Sequence, residues 1–517
     1  MVGLDAQIGA LKREPLPLRM GAWAVLLVLL FFLVITCRAD LEGSDSAELV
    51  TTSYSLGIAH GTGYSLYTCI GHVALSISPL PPPRTMNLLS VLFGWAALVS
   101  LVLAAEQLAG RRFPATIPLA IVALARPHWF VTTVAEVYAL HHLFVALTIL
   151  FLFIWWRRGN FRFLALAAYF AALDLSHHGS TVFLVPIYVI FVLVHAGAGF
   201  GVRNVLLLLL LVFVGLSVQG YLPIRTHFGS EPVTMGNEGT NEVLGIVREH
   251  GGGSGTAEVL KRKLLGGGPM RKFAADRELI TDNLRLAWAY LRNSMGFPLL
   301  IVTAAGIVWG VLSGPRLPIL LLTGSALANL LAIACFRSYD WDDFLVPVIL
   351  LLATVAAVFL GDLQGRFDRS RFGGILASAL VLLLGIWSGS QVVHEARRVV
   401  GYRHGPPIVP RERALLGQEL PVGSHVCVPW GRATVLRYLQ VVEGIRPDVH
   451  VHPLGRAMYL AAADLWAGKE PLFVESASSE MQRRYLVEPV GSMLRVSLRD
   501  PSATREDDSS PVPGGGR

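Results

Sequence analysis

"MGAWAVLLVLLFFLVITC", Met20 to Cys37, is an unbroken apolar run preceded by Lys12, Arg13 and Arg19. About 18 residues suit a bilayer-crossing helix better than the shorter core of a cleaved signal. No small-x-small cleavage site follows, so a retained first helix is expected. Similar runs lie near 86–107, 113–131, 137–156, 161–175, 180–198, 203–222, 297–314, 316–335, 344–362 and 373–393. Eleven candidate spans predict an all-α polytopic membrane protein. Composition agrees: of 517 residues, 53% are hydrophobic and 15% charged, where soluble chains carry about 25% charged residues. The net charge of +7 does not point to nucleic acid, because the basic residues sit in short clusters between apolar runs. Cys37, Cys69, Cys335 and Cys427 form neither a CxxC nor a Cys/His zinc pattern.

Charge asymmetry sets the expected sidedness. With residues 1–19 cytoplasmic, the inside loops hold Lys12, Arg13, Arg19, Arg111, Arg112, Arg157, Arg158, Arg162, Arg203, Arg316, Arg366, Arg369 and Arg371. The short outside loops hold Arg38, Arg84, Arg126 and Arg337. That imbalance follows the positive-inside rule. It places the first loop (38–85), the long loop (223–296) and everything after about 394 outside. Asp40, Glu42, Asp45, Glu48, Glu136, His177, His178, Arg225 and the 337–343 stretch RSYDWDD then gather on one face. A pure membrane anchor has no need of that convergence.

The first outer loop reads "SDSAELVTTSYSLGIAHGTGYSLYTC" from Ser44 to Cys69. One reading of Asp45 and Glu48 is a capping box, with Asp45 as the cap and Glu48 reaching back. A short helix from Glu48 to Leu56 would stop at Gly57, and a second would run from Ser65 to about Ser76. Both have apolar faces suited to the headgroup layer. The other reading is chemical. A carboxylate fixed beside a membrane can take the proton of an attacking hydroxyl. In the stretch His60-Gly61-Thr62-Gly63-Tyr64, the two glycines permit positive φ and close backbone approach. Amides exposed in this way can hold a phosphate.

These segments carry a resemblance. The first loop, then "PRTMNLLSVLFG", "AEVYALHHLF", "YLPIR", "YDWDDFLVP" and "YLQVVEGIRPDV", is similar in residues and order to the protein O-mannosyltransferase-like membrane family. It covers most of residues 20–450. The resemblance implies a GT-C fold, a polyprenyl-phosphate sugar donor and a protein or glycan acceptor. The family usually has proline where this chain has Gly61 and Ser65, so a more flexible loop is expected here.

The remaining polar residues keep alternative readings. Glu136 is a helix-start acid or a cavity carboxylate. His177 and His178 are interfacial residues, phosphate contacts or metal ligands without an evident third partner. Arg225 snorkels to the interface or binds a lipid phosphate in bidentate fashion. Arg337 does the same or pairs with Asp340, Asp342 and Asp343. The 223–296 loop, with glycine triplets at 251–253 and 266–268, is a solvated loop or a gating segment, and it contains no P-loop. Beyond the last run, Val426–Val428 and Asp448–His452 read as strands around a helix from Ala433 to Glu443. A small outer α/β domain without GxGxxG is expected within 394–499, and a disordered tail over 500–517.

The expectation is therefore a GT-C-like transmembrane domain over 20–393 in a bacterial cytoplasmic membrane. Its inferred chemistry is inverting transfer of mannose or a similar hexose from polyprenyl phosphate to an outer hydroxyl. Asp45 would be the base, with Glu48 and Glu136 as further catalytic carboxylates. Donor contacts are expected from His60, Gly61, Gly63, Tyr64, His177, His178, Arg225 and Arg337. No metal or other cofactor is assigned, and no nucleic acid partner. A transporter or lipid flippase is the alternative; against it, no inverted repeat is evident.

Overall fold

The computed structural model describes residues 14–60, 63–196, 201–228, 273, 276–337, 343–367, 375, 379, 381–390, 393 and 408–499. The helices in chain order are α1 (Leu16–Thr36), α2 (Asp45–Ser55), α3 (Ser65–Ile77), α4 (Pro82–Ala109), α5 (Phe113–Ala123), α6 (Arg126–Thr133), α7 (Tyr138–Arg158), α8 (Phe161–His177), α9 (Val185–Ala196), α10 (Val202–Leu216) and α11 (Tyr221–Phe228). Then come α12 (Arg277–Leu312), α13 (Arg316–Ala334), α14 (Val346–Phe367) and α15 (Val381–Ser390). Among the described residues, eight helical stretches are long and apolar enough to cross a membrane. A ninth forms if α5 and α6 count as one bent span. The protein is a multi-pass membrane protein.

The eleven apolar runs map onto helices, with informative departures. The third run breaks into α5 and α6 at 78°. Pro127 explains the break: it has no N–H, and its ring would strike the carbonyl of Ala123, where α5 stops. The fifth run gives the 17-residue α8, shorter than a full span. The eighth run is the second half of α12, which begins twenty residues earlier and turns at Gly296 (φ 70°) ahead of Pro298. The eleventh run contains α15, and much of it lies outside the described residues.

Burial separates centre from rim. The stretch Asp343–Phe367 is 83% buried and Val202–Arg225 only 11%, so α14 is central and α10 presents its leucines to lipid. The bundle core joins Leu98, Leu101 and Ala105 of α4 to Ala146, Ile149 and Phe153 of α7 and to Ile349, Ala353 and Ala356 of α14. Close backbone approach relies on small residues. A Cβ on Gly94 would lie 2.1 Å from Cγ2 of Thr132, and one on Gly361 2.6 Å from Cβ of Ala109.

The C-terminal unit is α/β, as its strand-helix-strand alternation predicts. It contains α16 (Ile408–Leu416), β1 (His425–Val428), α17 (Trp430–Val441), β2 (His450–Pro453), α18 (Tyr459–Trp466), β3 (Leu472–Val474), α19 (Ser479–Arg484), β4 (Tyr485–Val490) and β5 (Met493–Leu498). The sheet order is β2-β1-β3-β5-β4. β1 pairs in parallel with β2 and β3, and β5 runs antiparallel to β3 and β4. The β4–β5 hairpin turns through two residues, with Gly491 at φ 57° as a tight hairpin demands. One apolar cluster runs through Leu415, Val426 and Leu436 of this unit into Ala47, Leu49 and Val50 of α2. The first-loop helix is thus built into the C-terminal unit's core, whereas its sequence suggested a helix lying flat in the headgroup layer.

At the opposite end of the bundle, Glu14 accepts from the amides of Arg112 and Phe113, both at 3.0 Å. Reporter fusions after residues 60 and 450 are therefore expected to give one sidedness, and fusions after 111, 158 and 367 the other. Opposite reports from 60 and 450 would contradict the shared core.

Candidate functional site

The first loop is gripped at its start by α4 and at the end of α2 by α11. Arg84 and Asn87 lie one turn apart on α4. Arg84 donates to the carbonyls of Cys37 (2.7 Å), Arg38 (3.1 Å) and Val34 (3.2 Å), satisfying the open end of α1. The buried Asn87 amide donates to Arg38 O and Asp40 O, and its oxygen accepts from the Ala135 amide at 2.7 Å. One side chain so ties the start of the first loop to the segment bearing Glu136. At the other end, Leu56 caps α2 in the left-handed region (φ 52°). Its carbonyl accepts from Tyr221 Oη (2.6 Å) and Arg225 Nε (2.7 Å), two residues one turn apart on α11.

Held this way, α2 projects its acids into one cluster. The capping box is not formed. Ser44 is the cap residue, at φ 66°, with no side-chain cap bond, and Asp45 is the first helical residue. Glu48, fully buried, instead turns both oxygens on His60: Oε1 accepts the His60 amide at 2.7 Å and Oε2 meets its Nδ1. The other ring nitrogen, Nε2, then faces Oδ2 of Asp45 at 3.4 Å. Oδ1 of Asp45 accepts from Trp430 Nε1 at 3.0 Å and from Ser44 Oγ at 3.2 Å. Sequence offered a local cap because Asp-x-x-Glu is a local pattern; the actual partner of Glu48 lies twelve residues on.

Backbone strain concentrates here. Ser44, Leu56 and Tyr64 are three of the four non-glycine residues with positive φ among the described residues. Each costs on the order of 1–3 kcal/mol and persists only where surrounding contacts over-determine it. Tyr64 is the hub: its ring meets those of His60 (5.6 Å) and His177 (5.9 Å) edge-on. Burial pushes its phenol well above the ordinary range, and the charges of Asp45, Glu48 and Glu136 add to that. All three carboxylates singled out from sequence thus lie near enough to act on one phenol through their charge. Glu136 sits two residues before α7 rather than at its start, with its amide 3.4 Å from Ser90 Oγ.

The remaining candidates divide. Gly63 (φ 85°) packs so closely on Leu222 that a Cβ would lie 2.6 Å from its Cδ2. Gly61 lies outside the described residues, as do Asp340 and Asp342. His177 hydrogen-bonds the Val137 carbonyl at 2.9 Å, and the ring of His178 lies 5.3 Å from that of Tyr138. Arg225 spends its guanidinium on the carbonyls of Leu56 and Ser55. Arg337 is exposed and pairs with Asp276 at 3.4 Å.

Sequence reasoning passed over a buried network behind these residues. His141 Nδ1 meets Asp174 Oδ1 at 2.8 Å, Thr181 donates to Asp174 Oδ2 at 2.7 Å, and Ser180 Oγ contacts both His178 Nδ1 (2.7 Å) and His141 Nε2 (3.3 Å). The doubled histidine of "AEVYALHHLF", inside an apolar helix, was the available signal. Trp430 had no such signal. One ligand atom each from Asp45, Glu48 and His60 lies within 4.8 Å of the others, a spacing that suits a divalent cation as well as direct hydrogen bonding.

Residues 45–200 match the family described as the protein O-mannosyl-transferase TMEM260 N-terminal domain. The matched region begins at Asp45 itself. The chain is 27% identical over 227 residues to the mouse protein O-mannosyl-transferase TMEM260, covering 43% of this chain and 32% of that protein. The corresponding Dictyostelium discoideum protein is 22% identical over 257 residues, covering 44% and 31%. The chain thus spans about a third of the curated relatives it matches. Among solved structures, ArnT from Cupriavidus metallidurans bound to undecaprenyl phosphate aligns with a TM-score of 0.58 at 13% identity, covering 92% of this chain and 97% of that one. Its apo form gives 0.54 at 14% identity, with the same coverage. Residues 45–200 thus resemble the N-terminal domain of a protein O-mannosyl-transferase family, within a chain that shares the fold of ArnT. The structural likeness to ArnT extends over 92% of the chain, whereas the family match is confined to residues 45–200.

Proposed function

We propose that this O-mannosyltransferase-like protein transfers a hexose from a polyprenyl-phosphate donor to a hydroxyl on a protein or glycan acceptor at the outer membrane face. The observation that carries this is the unequal exposure of neighbouring carboxylates. The Asp45 side chain is 32% exposed and that of Glu48 is 0%. Only Asp45 of this pair can meet an incoming acceptor, while Glu48 fixes the imidazole beside it. The acceptor oxygen bonds to the anomeric carbon as the bond from that carbon to the phosphate oxygen breaks. The bonding pair leaves on the lipid phosphate and the acceptor proton passes to Asp45 Oδ2. Direct displacement inverts the anomeric centre. Support comes from the curated relatives, whose names state O-mannosyl transfer, and from a fold neighbour bound to undecaprenyl phosphate.

The test is purified protein with a panel of polyprenyl-phosphate sugars and hydroxyl acceptors, followed by mass analysis. Release of polyprenyl phosphate, with one hexose gained by the acceptor, is the expected result. Movement of intact donor across vesicles without release would replace the enzyme with a flippase. A second reading arises from the Asp45–Glu48–His60 spacing: a divalent cation bound there would make Asp45 a ligand instead of a base. Turnover that survives EDTA supports the base. Turnover that EDTA abolishes and Mg²⁺ or Mn²⁺ restores supports the cation.

A further inference from the structure

The strand β1 ends at Val428, and Pro429 caps α17 in extended geometry (φ −60°, ψ 157°). Trp430, the first helical residue, directs its indole back over the start of α2. Three contacts join these two helix beginnings. Trp430 Nε1–H donates to Asp45 Oδ1 at 3.0 Å, Gly431 O accepts from the Ser44 amide at 3.4 Å, and the Trp430 ring meets the His60 ring edge-on at 5.8 Å. The approach is close enough that a Cβ on Gly43 would lie 3.0 Å from Gly431 O. The helix start is held from behind as well. Arg432 donates to both oxygens of the buried Glu412 (2.7 and 2.9 Å) and to Glu475 (2.9 Å).

We infer that Trp430, in the C-terminal domain, is a positioning residue for Asp45, so that this domain completes the transfer site. The inference rests on the reading of Asp45 as the base. Its physical content is the sorting of two carboxylate oxygens. An indole N–H donates and cannot accept, so it takes no proton itself. By occupying Oδ1 it leaves Oδ2, the oxygen facing His60, as the one that receives the acceptor proton. A base held in one rotamer keeps the geometry that proton transfer requires.

The experiment compares Trp430→Phe and Trp430→His in the full chain, with kcat expressed per donor-binding site so that loss of folded protein cancels. Phenylalanine keeps the ring against His60 and removes the donor. Histidine places an N–H near the position of the indole nitrogen. Trp430→Phe is expected to lower kcat about tenfold, in line with loss of one hydrogen bond to a charged group, with KM for the donor unchanged. Trp430→His is expected to recover most of that loss. In an Asp45→Asn background, Trp430→Phe should add no further loss. Equal losses in the Phe and His variants, or full additivity with Asp45→Asn, would reduce Trp430 to packing and overturn the inference. Wild-type kcat in Trp430→Phe beside an inactive Asp45→Asn would overturn the inference alone. Wild-type turnover in Asp45→Asn would overturn the base assignment, and the inference with it.

Discussion

Asparagine at position 45 is expected to leave the O-mannosyltransferase-like protein folded and able to bind donor, yet slow its turnover roughly 10²–10⁴-fold. The substitution is close to isosteric. Its amide oxygen can still accept from Trp430 Nε1 and from Ser44 Oγ, the two bonds that hold Oδ1. Since Asp45 makes no side-chain cap bond in this fold, no helix-capping energy is lost. What disappears is the carboxylate oxygen Oδ2, the proposed proton acceptor. Glu48→Gln is the matched control: it keeps an oxygen for the His60 amide while weakening the contact to the ring, and a smaller loss is expected. Mass analysis of released lipid phosphate under saturating donor reads both variants. Wild-type turnover in well-folded Asp45→Asn protein would remove Asp45 from the chemistry and move attention to Glu48 or Glu136, the other carboxylates that raise the Tyr64 phenol.

The largest stability effect is expected at Arg432. Its guanidinium is 7% exposed and forms a fork on Glu412, which is fully buried, with a further bond to Glu475. Arg432→Ala leaves the buried Glu412 charge with only the long 3.8 Å approach of the exposed Arg411, a change that costs about 3–5 kcal/mol where buried pairs are broken from one side. Replacing Arg432 with Met and Glu412 with Leu together is expected to cost much less, because no charge is then left at position 412 and Glu475 keeps Arg456 at 3.5 Å. Hydrogen exchange across α16 and β1 in the detergent-solubilised full chain measures the difference. A loss under about 1 kcal/mol in Arg432→Ala would show that Glu412 finds another partner or protonates at little cost.

What sequence could and could not convey follows from the range of each interaction. The bundle was legible because a bilayer demands long apolar runs, and the C-terminal strands because their alternation is local. The bend at Pro127 was legible in principle, since proline's conflict with the carbonyl four residues back is local too. The acids of the first loop are legible as candidate catalytic residues, while the alternative capping box fails, because Asp45 and Glu48 satisfy a three-residue spacing but Glu48 turns to His60 twelve residues on. His60 was expected to contact donor and is placed between the two carboxylates. Arg225 was expected at a lipid phosphate, and its guanidinium instead meets carbonyls at the end of α2. Both motifs that grip the loop had been recognised by resemblance. Only the structure explains their spacing, by placing Arg84 with Asn87 and Tyr221 with Arg225 on single helix faces.

The core shared by α2 and the C-terminal unit sets a timetable for biosynthesis. Asp45 leaves the ribosome 385 residues before Trp430. At about 5–20 residues per second that interval is roughly 20–80 s. Throughout it Ala47, Leu49 and Val50 lack the partners that the α/β unit adds to their cluster, Val426 and Leu436 among them. A nascent first loop must therefore wait for the α/β unit before this shared cluster closes. Until Trp430 is made its bond to Asp45 is missing, so on the proposed reading a half-made chain already inserted in the membrane lacks part of the transfer site.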